Sequence, residues 1–392
     1  MQTNVIFDNK IPYGNGILVG VENKKKWLEV AVTPEALNAP ESLWFCFRLK
    51  FKNRPETQNR LRLVVKYFYN SLGGLPAEKI NPVTRIAKGD WQRLSAGKTV
   101  PLPDGRADAV WETDIIADSM DFAFCFPYGS QEVDGLVKKS KGYFKKDIIG
   151  VSPEGRDIVR LSNNYGDENA KLPGIYLVAR QHSGETSGSW ALHGFLARLA
   201  ERKAQAMTVW CLPLTNIDGI EKGYYGKDNF PIDINRAWGA LPMRYENLVF
   251  QRDIERWAGR SRPLLALDFH SPCGCEADGV YCFIPKNGKG TADKISSEWS
   301  EHFEKSISAD FASGEFGKVA NYPSRWEEPC LSYYKFMNKF YKIPALSFEF
   351  PYSRSMENIL EKRNYLEIGG SMADAVLDRL KTVVKNTMVN YE

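Results

Sequence analysis

Gly174-Ile175-Tyr176-Leu177-Val178-Ala179-Arg180-Gln181-His182-Ser183-Gly184-Glu185 is an apolar run that stops abruptly at a polar, glycine-containing turn. The apolar part shows no alternation of polar and apolar residues, as expected of a strand buried on both faces. A helical period over Ser187–Arg202 follows directly. Strand, turn and helix in this order are the unit of an α/β fold, and such folds place their sites where strands end. The same grammar continues on both sides. Upstream lie a charged helix candidate, Gln131–Lys139, and two strands, Asp147–Val151 and Asp157–Ser162, joined by a turn-prone SPEG. Downstream come the strand Thr208–Leu214, the helix Leu248–Trp257, the strand Leu264–Phe269 and helices around Ala292–Ser306 and Leu331–Tyr341. The strand Ala345–Phe350 and a last helix near Ile368–Thr387 complete the series. The alternation predicts one α/β domain, residues 129–392, around a largely buried sheet.

Before the Pro127–Gly129 break the pattern differs. Short runs rich in β-branched and aromatic residues are separated by turn signals: Trp27–Val32, Leu43–Leu49, Leu61–Phe68, Ala109–Ile116 and Met120–Phe126. In the second of these, Leu43, Phe45, Phe47 and Leu49 share one face, as in a sandwich strand with one side on a core. Residues 1–128 are therefore expected to form an N-terminal antiparallel β-sandwich-like domain.

Bulk properties exclude several functions. A formal charge of +4 over 392 residues gives no reason to expect a nucleic-acid partner. The densest basic stretch, Lys138–Lys146, reads as solvated surface. No run approaches the roughly 18–20 apolar residues that span a bilayer, and MQTNVIFDNK lacks the regions of a secretory signal. The seven cysteines are an odd number, with Cys46 and Cys125 inside apolar strands, which suits free thiols in a reducing, cytoplasmic compartment. Cys273 and Cys275 form a CxC without a second pair at structural-zinc spacing.

The chain has four histidines, and two of them, His182 and His270, close predicted strands. His182 and Glu185 form an HxxE on a tight turn, a spacing that lets an imidazole and a carboxylate reach one point. With His270 they make a His₂Glu set, a common catalytic zinc arrangement that leaves a position for water. By itself an HxxE says little. His193, in the following helix, reads as structural, and His302, in a charged helix, as exposed. Glu349 stands in Ala-Leu-Ser-Phe-Glu-Phe-Pro, on the strand face opposite Phe348 and Phe350. A carboxylate in so apolar a run is costly unless paired or facing a polar cleft. Beside a zinc site it can serve as general base for water. Between the histidines lie Asn216-Ile217-Asp218-Gly219 and Asp233-Ile234-Asn235-Arg236-Ala237-Trp238. An Asn–Arg pair in a loop suits a carboxylate, since the guanidinium can bind both its oxygens.

The run Ala179–Trp190 resembles the zinc-ligand segment of cytosolic carboxypeptidases, a branch of the carboxypeptidase A-like metallopeptidases. NIDG, DINRAW, LDFH and FEF follow in that family's order. The resemblance extends from about Gln131 to the C-terminus, and LWFCFRL and DFAFCFPYG look like the β-rich domain preceding the peptidase in this branch. It implies an α/β/α zinc carboxypeptidase domain with a mixed central sheet. It also implies one Zn²⁺ held by His182, Glu185 and His270, with Glu349 as catalytic base. Asn235 and Arg236 then hold the C-terminal carboxylate of a peptide or protein substrate. One departure stands out: Gly226 occupies the place of an arginine that steadies the oxyanion in the family, and Lys227 follows it. The resemblance does not locate the active-site tyrosine of pancreatic-type relatives; Tyr322 and Arg325 are candidates for the cleft rim. Some relatives trim acidic tails, which needs a basic pocket; Arg180, Lys227, Arg262 and Arg325 are candidates for it.

Two other functions use the same residues. A zinc amidohydrolase acting on small N-acyl amino acids needs the same metal and base. A non-catalytic peptide-binding protein could keep the fold, with Gly226 its only support.

Overall fold

The computed structural model describes all residues except 1, 2, 38, 40, 69, 70, 72, 286–290, 321–329 and 390–392. Among the described residues the N-terminal part holds ten strands: β1 (Asn4–Asp8), β2 (Ile17–Asn23), β3 (Trp27–Thr33), β4 (Cys46–Lys52), β5 (Arg60–Val65), β6 (Val83–Ile86), β7 (Gln92–Arg93), β8 (Lys98–Pro101), β9 (Ala107–Asp114) and β10 (Ser119–Ala123). They form two five-stranded sheets, β1-β4-β10-β6-β7 and β2-β3-β5-β9-β8. All pairings are antiparallel except β3–β5. Alternate residues turn inward, so Phe45, Phe47, Leu61, Leu63, Trp111 and Phe122 are fully buried between the sheets.

The remainder builds one eight-stranded sheet from β11 (Lys145–Val151), β12 (Asp157–Ser162), β13 (Pro173–Ala179), β14 (Thr208–Leu212), β15 (Arg262–His270), β16 (Val280–Ile284), β17 (Ala312–Val319) and β18 (Ala345–Glu349). Their order is β11-β12-β14-β13-β15-β18-β16-β17. The centre, β14-β13-β15-β18, is parallel, while β11, β12 and β16 bring antiparallel pairings. The sheet is therefore mixed.

Both faces are covered. Ile175, Leu177, Leu267 and Phe348 pack under α2 (Thr186–Glu201), α5 (Thr291–Ser306) and α7 (Lys362–Val389). Tyr176, Val178, Trp210 and Ala266 pack under α4 (Tyr245–Arg260) and the short α6 (Tyr333–Phe336). Strands sandwiched this way can be apolar at every position, which is why β13 shows no alternation.

Each sequence-predicted element within the described residues has a counterpart. Several strands were not anticipated: β1, β2, β6, β7 and β8 in the N-terminal sheets, and in the large sheet β16, a short VYCFI run, and β17, whose ASGEFGKV carries two glycines and two charges at a sheet edge. His302 is half-buried rather than exposed, because its Nε2 meets the Ala375 carbonyl on α7 at 2.9 Å. The lysines of the Lys138–Lys146 stretch are all exposed, while Tyr143 and Phe144 between them are buried.

The two parts share a wide junction. The Arg93 guanidinium donates to the carbonyls of Asn81, Leu360 and Tyr352 and to the Tyr365 hydroxyl, at 2.6–3.1 Å. Phe124 packs edge-on against Tyr352, ring centres 4.9 Å apart.

Candidate metal centre

The site forms where three parallel strands end. β13 leads into the His182–Glu185 turn, β15 ends at His270, and β18 ends at Glu349. The ladder sets His270 directly opposite Glu349. The turn after β13 is shaped by Arg180, which takes a left-handed φ of +64°. Its guanidinium donates to the Ser183 carbonyl at 3.0 Å and to the Tyr128 carbonyl at 2.6 Å. Arg180 is thus consumed in holding the turn and is fully buried. It lines no substrate pocket.

His182, Glu185 and His270 offer one ligand atom each, all within 4.8 Å of one another. Both imidazoles direct Nδ1 at the same carboxylate: His182 at 2.8 Å from Glu185 Oε1, and His270 at 2.7 Å from Oε2. Their outer nitrogens are held from behind. His182 Nε2 lies 3.0 Å from Asp233 Oδ2, and His270 Nε2 lies 2.9 Å from Asp268 Oδ2. A carboxylate on Nε2 fixes the tautomer that leaves the Nδ1 lone pair facing inward, as in metal-binding histidines generally. Asp268 is itself fixed by Gln181 Nε2 at 2.7 Å, and Gln181 Oε1 accepts from Trp238 Nε1 at 2.7 Å.

The electrostatics point the same way. Desolvation works against protonation of both histidines, but Asp233, Asp268 and Glu185 outweigh it and raise their pKa values. Desolvation pushes the Asp233 carboxyl up, yet His182 more than reverses this, and it lies well below the usual carboxylate range. Such a concentration of buried anions favours a cation in its midst. Two nitrogens and a carboxylate oxygen, backed by hydrogen-bonded carboxylates, fit a zinc ion with a coordination position to spare.

Glu349 Oε2 is buried with no hydrogen-bond partner among the described residues. Desolvation, opposed by His270 and reinforced by Glu185, pushes its pKa up to about 7. Lys227 reaches in from the loop after α3 (Ile217–Glu221), its Nζ 3.7 Å from Glu185 Oε1. Desolvation works against its charge, but Tyr225, Glu185, Glu349 and Glu41 together hold the pKa well above lysine's ordinary value. Gly226 beside it sits at φ +80°, and a Cβ there would come within 2.5 Å of Ser183 Oγ and 2.8 Å of Ser183 N. The backbone at 226 therefore leaves no room for an arginine, and the lysine near Glu185 is the next residue.

Asn235 and Arg236 sit on a single 3-10 turn, Ile234–Arg236, capped by Asp233. Asn235 Nδ2 lies 3.1 Å from His270 Nε2 and its Oδ1 accepts from Tyr333 N at 3.0 Å. The asparagine thus lies against the His270 ring, and the half-buried Arg236 stands beside it. Asn216 caps α3 through Gly219 N. Arg262 starts β15, at the opposite end of the strand from His270. Tyr322 and Arg325 fall outside the described residues. Asp233 and Asp268 carried no expectation from sequence, although each lies two residues before a residue that did.

The family profile described as zinc carboxypeptidase matches residues 130–260, which include His182, Glu185, Lys227, Asn235 and Arg236. Cytosolic carboxypeptidase 6 of Caenorhabditis elegans is 24% identical over 346 residues, covering 79% of this chain and 72% of that one. Its Homo sapiens counterpart is 25% identical over 60% of this chain, which spans only 50% of the human protein. Among solved structures, a metallo-carboxypeptidase from Burkholderia cenocepacia superposes with a TM-score of 0.78 at 18% identity, covering 98% of this chain and 100% of that one. One from Pseudomonas aeruginosa gives 0.74 at 18%, over 97% and 99%. Profile, relatives and shared fold agree with the His–Glu–His cluster: residues 130–260 match the zinc carboxypeptidase profile, the chain is similar to cytosolic carboxypeptidases, and its fold is that of the solved metallo-carboxypeptidases.

Proposed function

We propose that this protein is a zinc metallocarboxypeptidase that releases the C-terminal amino acid of a peptide or protein. The observation that carries the reading is the convergence of His182, Glu185 and His270 beside an unpartnered Glu349 carboxylate oxygen. These three residues would hold one zinc ion, which when bound would supply the Lewis acidity needed to polarise a carbonyl and acidify water.

The chain's own residues supply the rest. Arg236 grips the substrate's terminal carboxylate through two parallel hydrogen bonds, and Asn235 at its side completes the recess. Glu349 accepts a proton from the attacking water as its oxygen bonds to the scissile carbonyl carbon. The same carboxyl group then passes that proton to the nitrogen as the C–N bond breaks, releasing a free amine. Lys227 presents positive charge to the carbonyl oxygen as it gains electrons, the task that an arginine at position 226 cannot perform here. Free cysteines and the names of the curated relatives support a cytoplasmic setting.

The test is amino-acid release by purified, zinc-loaded protein from peptides differing in the last residue, acidic ones included. Glu349→Gln is expected to bind metal normally and to lose about 10²–10⁴ in kcat. Full activity in that variant would remove Glu349 from the mechanism. Hydrolysis of N-acyl amino acids but of no peptide would reassign the site to the small-molecule amidohydrolases. Binding of peptides with no hydrolysis of either class would make the protein a non-catalytic binder.

A further inference from the structure

The loop that carries Lys227 is pinned from the N-terminal sheets, and by one side chain above all. Asn15 is buried and every polar atom it owns is used. Its backbone pairs with Cys46 in both directions, at 2.8 and 2.9 Å. Its Oδ1 accepts from Glu35 N at 2.8 Å, and its Nδ2 donates to the Glu35 carbonyl at 3.0 Å. The remaining hydrogen on Nδ2 crosses to the other half of the molecule and meets the Gly223 carbonyl at 2.8 Å. Asn15 is thereby rigid before it reaches across.

Gly223 opens the strap 223–227. It sits at φ +68°, and a Cβ there would lie 2.2 Å from the Gly14 carbonyl oxygen, so the two halves meet backbone to backbone. The strap is then bonded on its far side to the metal-ligand turn. Ser183 Oγ donates to the Tyr224 carbonyl at 2.8 Å, and Gly184 N donates to the Tyr225 carbonyl at 2.8 Å. Trp44, from the N-terminal part, closes the remaining space, its Cβ 3.2 Å from where a side chain at Gly184 would begin. The main chain of the strap therefore links Asn15, bonded at Gly223, to Ser183 and Gly184, bonded at Tyr224 and Tyr225, between His182 and Glu185. Lys227 is the strap's last member.

We propose that Asn15 is a positioning residue for catalysis: by fixing Gly223 it sets the strap and holds the Lys227 ammonium at the metal centre. The inference rests on the role given to Lys227 above. It also gives the N-terminal sheets a part in the chemistry that they do not touch. An asparagine is required because the position must donate twice and accept once within one short planar group. Aspartate keeps the acceptor but places an oxygen against two carbonyl oxygens.

Hydrogen exchange followed by mass spectrometry, on the full chain with and without zinc, tests the placement without relying on turnover. In Asn15→Asp and in the milder Asn15→Ala, peptides covering 223–227 are expected to exchange about tenfold faster, while those from β13 and the zinc content stay unchanged. In kinetics, kcat is expected to fall about tenfold with KM nearly constant. In a Lys227→Met background the same Asn15 changes are expected to add less than about twofold, as two residues acting through one group are not additive. Unchanged protection of the strap in a folded Asn15 variant overturns the proposal. So does an equal fall in kcat in both backgrounds, which makes Asn15 structural only. Absence of any hydrolysis by the unaltered protein counts against the carboxypeptidase reading, whereas the exchange result still decides whether Asn15 holds the strap.

Discussion

Each histidine of the candidate metal centre has a private carboxylate, and that pairing decides what substitution costs. Asp233→Asn keeps the size of the side chain but removes the charge that holds His182 Nε2 at 3.0 Å. Metal affinity is expected to fall about 10–100-fold, read by competition with a chelator, with the fold intact. His193 illustrates the opposite environment. Desolvation, then Lys139 and Lys362, lower its pKa to about 4, and its ring accepts the company of the Tyr128 hydroxyl at 3.2 Å. In the unfolded chain the imidazole takes up a proton below its ordinary pKa of about 6.5, whereas the folded protein resists until about pH 4. The contribution to stability is therefore present above pH 6.5 and lost as pH falls towards 4, an amount of about 3 kcal/mol. Urea titrations of the parent and His193→Gln at pH 7 and 4.5 are expected to show a smaller pH dependence in the variant.

At the scale of elements, two helices approach closely because glycines let them. α2 and α7 cross where a Cβ at Gly369 would lie 1.8 Å from the Ala191 carbonyl oxygen, and one at Gly194 would lie 2.1 Å from the Leu366 carbonyl oxygen. Gly369→Ala is expected to destabilise by about 3 kcal/mol in denaturant titrations, since backbone oxygens cannot move aside. Gly370→Ala, whose nearest neighbour is the flexible end of Arg198 at 3.5 Å, is expected to be neutral or slightly stabilising. The elements that the sequence announced were those with a continuous apolar run or a strong helical period. β13 and β18, buried on both faces, and α2, with its apolar stripe, were plain. β17 was not, because an edge strand can carry glycine and charge without losing its ladder. The ligands were legible because a histidine or glutamate at the end of an apolar strand is conspicuous. Asp233 and Asp268 were not, because an aspartate beside a turn or at a strand end has many ordinary uses. Arg180 misled in the other direction: a charge next to a ligand suggested substrate, and only its hydrogen bonds to Ser183 and Tyr128 show a structural duty.

For the whole molecule, the change of pattern near residue 128 gave a boundary in the sequence, and we infer two domains, 1–128 and 129–392, joined too tightly to act apart. Arg93 bonds four acceptors, three of them on the catalytic side: Leu360, Tyr352 and Tyr365. Arg93→Ala takes the guanidinium donor from the Asn81 and Leu360 carbonyls, while the Tyr352 carbonyl keeps the Tyr365 hydroxyl, and is expected to cost about 3 kcal/mol. Unfolding of the parent is expected to be a single transition by both near-ultraviolet circular dichroism and tryptophan fluorescence. Two separated transitions would mean that the junction is weaker than its contacts imply.

The ladder that places His270 opposite Glu349 has a consequence for how such an enzyme can vary. Neighbouring strands stand about 4.8 Å apart whatever their loops do. The span from ligand to base is therefore inherited from main-chain pairing, and lengthening or rewriting the surrounding loops leaves it untouched. A slip of one residue between β15 and β18, by contrast, turns the carboxylate to the sheet's other face. Variation in what is cleaved can accumulate freely at the rim, while the means of cleaving it stays locked in the weave below.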